Sequence, residues 1–347
     1  MPAQKFGAII VPGILTVHST HQKIPNFPLT QAFISHNQLP LAALEAPIQI
    51  SYIVGKIRGT APSLSGKSFR LSPDGLLLQE TPLSRMGRFS VALDYRVATS
   101  SLFVNTLYHY LGRITIGNLH SVGWLLRDLS NFQLLHNGFC LLHAAGLRHE
   151  REVTLLIGLS NTGKTTTVID LVKSFNAYYY GDDLVVTDGE NLYPCPYTAA
   201  NLNPRNDVSL RYRTIQWARR NIPLFENFGP KIPVTISDYL GDGNCAVPAR
   251  ITNVLFLRRS TQHRERELQK REAARLLLAS NRTEFTYAAS PIFNAAEYLG
   301  LDCPVTTLVD REAEICAKVV ENAYCRLIEG GPEQFRLAAV DSLGIST

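Results

Sequence analysis

Along the first hundred residues the hydrophobic positions recur with the period of strands. Residues 6–15 and 48–57 are short apolar or alternating runs rich in Ile, Val and Tyr, and residues 88–95 alternate again. Residues 68–80 divide into two short strands about a Pro73-Asp74-Gly75 turn. Pro25, Pro28, Pro40 and Pro47 break the stretch between the first strands into loop with a short helix. The pattern predicts a small, antiparallel, β-rich region over residues 1–100.

The period then changes to that of helices. Apolar residues at 103, 104, 107 and 111 predict a helix over 102–111, and those at 122, 125, 126, 129, 132 and 135 predict a second over 122–135, closed by Gly138. Residues 139–147 read as a buried strand, folded back by the charged turn His149-Glu150-Arg151-Glu152 against a strand at 153–157. A helix over 165–173 follows, with Val168, Leu171 and Val172 as its apolar stripe, and then an aromatic-rich strand within 177–186. Residues 194–204 are loop-like, and 254–257 form a core strand ending in Arg258 and Arg259. Amphipathic helices are expected over 267–279 and 311–324, with a strand at 305–309 between them. This mixture predicts an α/β (α+β) domain over residues 101–347.

Composition narrows the function classes. A hydrophobic content of 45% and a charged content of 18% over 347 residues describe a globular protein with a sizeable core. The net charge of +5 suits a protein that handles phosphates but falls short of a nucleic-acid-binding face. The arginine-rich runs at 211–220 and 264–275 read as solvated helix faces. Cysteines at 140, 195, 245, 303, 316 and 325 lack C-x-x-C spacing and an accompanying His cluster, which argues against zinc and for buried, reduced thiols. His18, His21 and His36 read as ordinary surface or core histidines. With no leader-like N-terminus and no run of about 18 apolar residues, the expectation is a cytoplasmic chain with no membrane contact.

The candidate chemistry centres on residues 155–170, LLIGLSNTGKTTTVID. Gly158, Gly163, Lys164 and Thr165 fit G-x-x-x-x-G-K-[ST] between a strand and a helix. Glycines let consecutive N–H groups of Gly158, Leu159, Ser160, Asn161, Thr162, Gly163 and Thr166 curl round a polyphosphate, and the helix N-terminus favours its charge. Lys164 reaches the terminal phosphates, and the Thr165 hydroxyl completes a Mg2+ shell. Asp182 and Asp183 stand eighteen and nineteen positions after Lys164, the reach of one helix and a returning strand. One carboxylate suits the metal and the other suits the proton of an attacking hydroxyl.

His143, then GLSNTGKTT, then GDD resembles the HPr kinase family, whose P-loop nucleotide domain is similar to that of phosphoenolpyruvate carboxykinase. The resemblance covers roughly residues 100–280 and implies that fold, with a mixed sheet. It further implies ATP and Mg2+ as cofactors and a Ser or Thr hydroxyl of a peptide or protein as acceptor. His143, Lys164, Asp182 and Asp183 would be catalytic, with Asp183 as base, and Thr165 and Asp182 would hold the metal. Residues 1–100 are similar, more weakly, to the HPr-kinase-like proteins of peptide natural-product clusters. Asn161 replaces the family's usual Gly, Thr165 replaces Ser, and the family's Leu-Glu-Ile-Arg-Gly signature is absent; Arg205 and Asp207 stand in its region as candidate contacts. Arg259 or Arg205 is a candidate clamp on the transferred group, and the family's assemblies leave room for a homo-oligomer. A kinase of a small molecule such as free serine, a phosphoenolpyruvate carboxykinase-like enzyme and a non-catalytic nucleotide sensor remain open.

Overall fold

In the computed structural model the strands of the first hundred residues join one nine-stranded sheet. The structure describes residues 5–29, 33–57, 62–66, 68–83, 87–112, 120–160, 162–195, 214, 217–218 and 246–345. The strands are β1 (Phe6–Val11), β2 (Leu15–Ser19), β3 (Ile34–Ser35), β4 (Ile48–Val54), β5 (Leu64–Ser65), β6 (Phe69–Leu71), β7 (Leu76–Pro82), β8 (Arg88–Asp94) and β9 (Thr99–Val104). Their order is β3-β1-β2-β4-β9-β8-β7-β6-β5. The expectation of a purely antiparallel region fails at the centre, where β4 runs parallel to both β2 and β9. Parallel neighbours need crossovers, and the proline-broken segment, which carries the short helix α1 (Leu41–Leu44), supplies the first.

Residues 99–104, read in part as helix, are a strand because Ser100, Leu102 and Val104 alternate inward. The helix α2 (Thr106–Leu111) starts only after Asn105, whose side chain accepts the Tyr108 N–H at 2.9 Å. Helix α3 (Val122–His136) is buried almost all round between the two halves of the molecule. Gln133 binds the Arg96 carbonyl and the Ala98 N–H on one side, and Asn131 accepts the Leu141 N–H on the other. Gly138, at φ 84°, ends α3 as expected, with Phe139 N–H donating to Leu134 and Gly138 N–H to Leu135.

The second half holds two further sheets. Strands β10 (Cys140–Leu142), β11 (Ala144–His149), β12 (Glu152–Ile157), β13 (Tyr178–Gly181), β14 (Val185–Thr187), β15 (Asn191–Tyr193), β16 (Ala249–Arg250), β17 (Asn253–Arg259), β18 (Arg264–Glu267) and β19 (Tyr324–Gly330) divide into β10-β14-β15-β16 and β13-β11-β12-β17-β19-β18. The charged turn folds β11 onto β12 with His149 opposite Glu152, while β12, β17 and β19 are parallel. Alternation along β12 and β17 sends Leu156, Leu255 and Leu257 to one face, against α4 (Lys164–Phe175) and the C-terminal helix. Val153, Leu155, Ile157, Val254 and Phe256 go to the other face, continuous with the core around α3.

Four helices follow β18: α5 (Lys270–Glu284) and α6 (Pro291–Tyr298), then α7 (Val305–Asn322) and α8 (Pro332–Ser342). Residues 264–267 are therefore strand and not the start of a helix, because RERE pairs with β19. The strand expected at 305–309 is the first part of α7; Val305, Leu308, Glu312, Ile315 and Val319 form its buried stripe. Among the described residues no helix is long and apolar enough to cross a membrane. The five described cysteines are buried and unbridged, as expected; Cys245 lies outside the described residues.

Candidate active site

Two chain crossings between the sheets make the site. The strand expected over 139–147 breaks at His143: β10 belongs to one sheet, β11 to the other. The aromatic-rich strand breaks in the same way, β13 in the larger sheet and β14 in the smaller, with Asp182 and Asp183 in the connection. Gly181 permits the second crossing, since a Cβ there would collide with the Leu184 carbonyl oxygen. β11 lies between β13 and β12, so both crossings flank the loop that leaves β12.

That loop carries the glycine-rich motif into α4. Gly163 sits at φ 117°, a left-handed conformation that favours glycine, and α4 begins at Lys164. Thr162 ties the loop inward, with its N–H and its hydroxyl both donating to the Leu159 carbonyl. Arg259, a candidate clamp on a transferred group, spends its Nε–H on the Thr162 carbonyl at 3.0 Å and so braces the loop. Leu159, Ser160 and Thr166 are exposed, Gly163 and Thr165 half-buried, and Asn161 lies outside the described residues. Arg205 and Asp207 lie outside them too.

Lys164 is only 5% exposed and curls back over the loop. Its ammonium donates to the Gly158 carbonyl at 2.5 Å, to Leu159 at 3.4 Å and to His143 Nε2 at 3.1 Å. Burial lowers its pKa, opposed by Asp183, Asp182 and Glu284. Burial also lowers the pKa of His143, helped by Lys164, so the imidazole is neutral at neutral pH. An ammonium only donates, so Nε2 accepts and the ring proton sits on Nδ1, 3.5 Å from Asp183 Oδ1. The main-chain N–H of His143 donates to Asn281 Oδ1 at 2.8 Å.

The two acids have different surroundings. Asp182 is 3% exposed and accepts hydrogen bonds from the Tyr179 and Thr165 hydroxyls. Burial, reinforced by Asp183, pushes its carboxyl up to about 7. The Asp183 side chain is 41% exposed and faces solvent beside His143. Thr165 and Asp182 are hard oxygen donors in contact, and a buried carboxylate held from ionising is what a divalent cation relieves. Among the described residues no cluster of three His, Cys, Asp or Glu forms a metal cage. A Mg2+ ion would accordingly take its remaining ligands from phosphates and water, as that ion commonly does.

Of the residues singled out in the sequence, His143, Lys164, Thr165, Asp182 and Asp183 converge. Three others were missed. Asn281 fixes the His143 backbone and bridges to Glu312 at 2.7 Å. Glu284 raises the pKa of both Lys164 and His143 through its charge. Arg127, on α3, holds Glu284 at 2.8 Å. No local signal marked them, because each acts across a large sequence separation. No protein-family model matches the chain, and no curated protein matches it.

Proposed function

We propose that this chain is a Mg2+-dependent kinase that moves the γ-phosphate of ATP onto a hydroxyl, that of a Ser or Thr in a peptide or protein. The observation that carries the reading is the line Asp183, His143, Lys164 beside the phosphate loop, with contacts of 3.5 and 3.1 Å. The acceptor oxygen attacks the γ-phosphorus, its proton passes to Asp183, the bond to the β-phosphate oxygen breaks and ADP leaves. His143, neutral, presents its Nδ1–H to Asp183 at 3.5 Å, near that carboxylate but not hydrogen-bonded to it. Lys164 exchanges the Gly158 carbonyl for phosphate oxygens, where its charge offsets what develops in transfer. Thr165 and Asp182 would hold a Mg2+ ion, which would supply charge compensation at the phosphates. The phosphoenolpyruvate carboxykinase-like fold and the peptide acceptor rest on the resemblance of His143, GLSNTGKTT and GDD to the HPr kinase family.

The test is transfer of label from γ-labelled ATP to Ser-terminated peptides by purified protein, with and without Mg2+. Label should appear on peptide, vanish in Lys164→Ala, and fall at least about a hundredfold in Asp183→Asn with ATP still bound. Undiminished transfer in Lys164→Ala sinks the assignment. ATP binding without transfer to peptide, free serine or oxaloacetate would instead mark a nucleotide-sensing protein.

A further inference from the structure

Helix α7 buries a carboxylate in an otherwise apolar stripe. Glu312 is 2% exposed, and its companions Val305, Leu308, Ile315 and Val319 are all apolar. A glutamate is seldom buried so deeply, because its charge is costly to desolvate. Burial pushes the carboxyl above its ordinary range, opposed by hydrogen bonds from Asn281 and Tyr287 and least by the Arg282 charge. The two oxygens accept from Asn281 Nδ2 at 2.7 Å and from the Tyr287 hydroxyl at 2.9 Å. Both donors are themselves buried.

Asn281 connects that group to the site. Its amide spans the break where the chain leaves β10 for β11: Nδ2 donates to the Leu141 carbonyl at 3.0 Å, and Oδ1 accepts the His143 N–H at 2.8 Å. His143 lies between ladders that end at Leu142 on one side and begin at Ala144 on the other, so this amide holds its main chain. The amide nitrogen has two protons, one for Leu141 and one for Glu312. The contact with Glu312 is the shortest of the three and the one made to a carboxylate, which makes it the strongest. Without it Asn281 keeps a buried N–H that lacks an acceptor, and its hold on the two backbone groups weakens.

We infer that Glu312 is a positioning residue: through Asn281 it fixes the main chain of His143 and so aims the imidazole between Lys164 and Asp183. The inference rests on the kinase reading above. It gives a buried acid a place in turnover without contact to either substrate. A misaimed ring leaves the phosphate loop intact, so the loss falls on kcat and spares MgATP binding.

The test sets Glu312→Leu against Glu312→Gln, whose Oε1 still accepts from Asn281 while its amide donates to the Tyr287 oxygen. With γ-labelled ATP and Ser-terminated peptides, Glu312→Leu should lower kcat about tenfold or more and leave the MgATP Kd within about threefold. Glu312→Gln should recover most of that loss. In a His143→Ala background Glu312→Leu should cost nothing further, because its effect runs through the ring. NMR of isotope-labelled histidine reads the ring without activity: wild-type His143 carries its proton on Nδ1, Glu312→Leu should mix the tautomers, and Glu312→Gln should restore the wild-type signal. Asn281→Ser cuts the same path by a smaller change and should reproduce the leucine variant, which keeps the test open if Glu312→Leu does not fold. An unchanged His143 signal in Glu312→Leu or Asn281→Ser, or an equal loss of kcat with and without His143, overturns the inference while leaving the kinase reading standing. No transfer by the wild type, with a His143 signal that still depends on Glu312, overturns the kinase reading alone.

Discussion

Arg127→Met isolates the buried charge pair that links α3 to the site. Arg127 is 1% exposed, and its guanidinium lies 3.1 Å from Asp128 Oδ1 and 2.8 Å from Glu284 Oε1, with the Glu284 carbonyl at 2.9 Å. Trp124 and Phe285 flank it, with ring centroids at 5.2 and 5.1 Å. Methionine keeps part of that packing and removes the charge. Asp128 is then left buried, keeping the Thr286 hydroxyl at 3.3 Å. Breaking such a pair costs about 3–5 kcal/mol. Burial already holds the Asp128 carboxyl above its ordinary range, and Arg127 is the main influence opposing that rise. Without it the folded-state pKa climbs further above the unfolded one, so stability is lost as pH rises and regained as Asp128 takes up a proton. Urea unfolding followed by circular dichroism at pH 5.5 and pH 8 reads this directly. The deficit should be larger at pH 8, and adding Asp128→Asn to the variant should recover a substantial part of it. A variant within about 1 kcal/mol of wild type, or one equally impaired at both pH values, refutes the reasoning.

The remaining predictions concern the acid pair. Gly181→Ala should cost about 1–3 kcal/mol of stability, because the added Cβ meets the Leu184 backbone and neither can yield without shifting the crossing; an unchanged urea midpoint would contradict this. Asp182→Asn should stabilise the protein in chelator. The wild-type carboxyl titrates at about 7 when folded and at 3.8 in the reference state, an interval worth about 4 kcal/mol at about 1.4 kcal/mol per pH unit. The folded value is the higher one, so the wild type loses stability relative to the variant from about pH 4 up to about pH 7 and no further above it. Unfolding midpoints that differ by the same amount at pH 5 and pH 8 would rule this out.

What the sequence displayed was local. The run from β12 through the loop to α4, the β11–β12 turn and the α3 cap are each specified by neighbouring residues, and the structure holds them where expected. Errors fell where one pattern serves two structures. Residues 305–309 are β-branched and apolar enough for a strand, but 305, 308, 312, 315 and 319 keep helical period once α7 is seen whole. RERE at 264–267 carries no apolar face at all and is a strand only because β19 offers it a ladder. The site residues that escaped notice are those defined by contact: Arg127 meets Glu284 across 157 positions, and Asn281 reaches His143 across 138.

The crossings between sheets explain why a Gly-Asp-Asp turn yields two unlike acids. At the end of a strand successive side chains point to opposite sides. Asp182 turns inward to Tyr179 and Thr165, and Asp183 turns outward beside His143. A turn in solvent would give both carboxylates the same water and the same acidity. Here β13 is tied to one sheet and β14 to the other, so neither acid can exchange its place with its neighbour. The same break at His143 frees a backbone N–H for Asn281 and aims the ring between Lys164 and Asp183. The asymmetry of the two acids is a consequence of topology, in which two strands change sheets beside one glycine-rich loop.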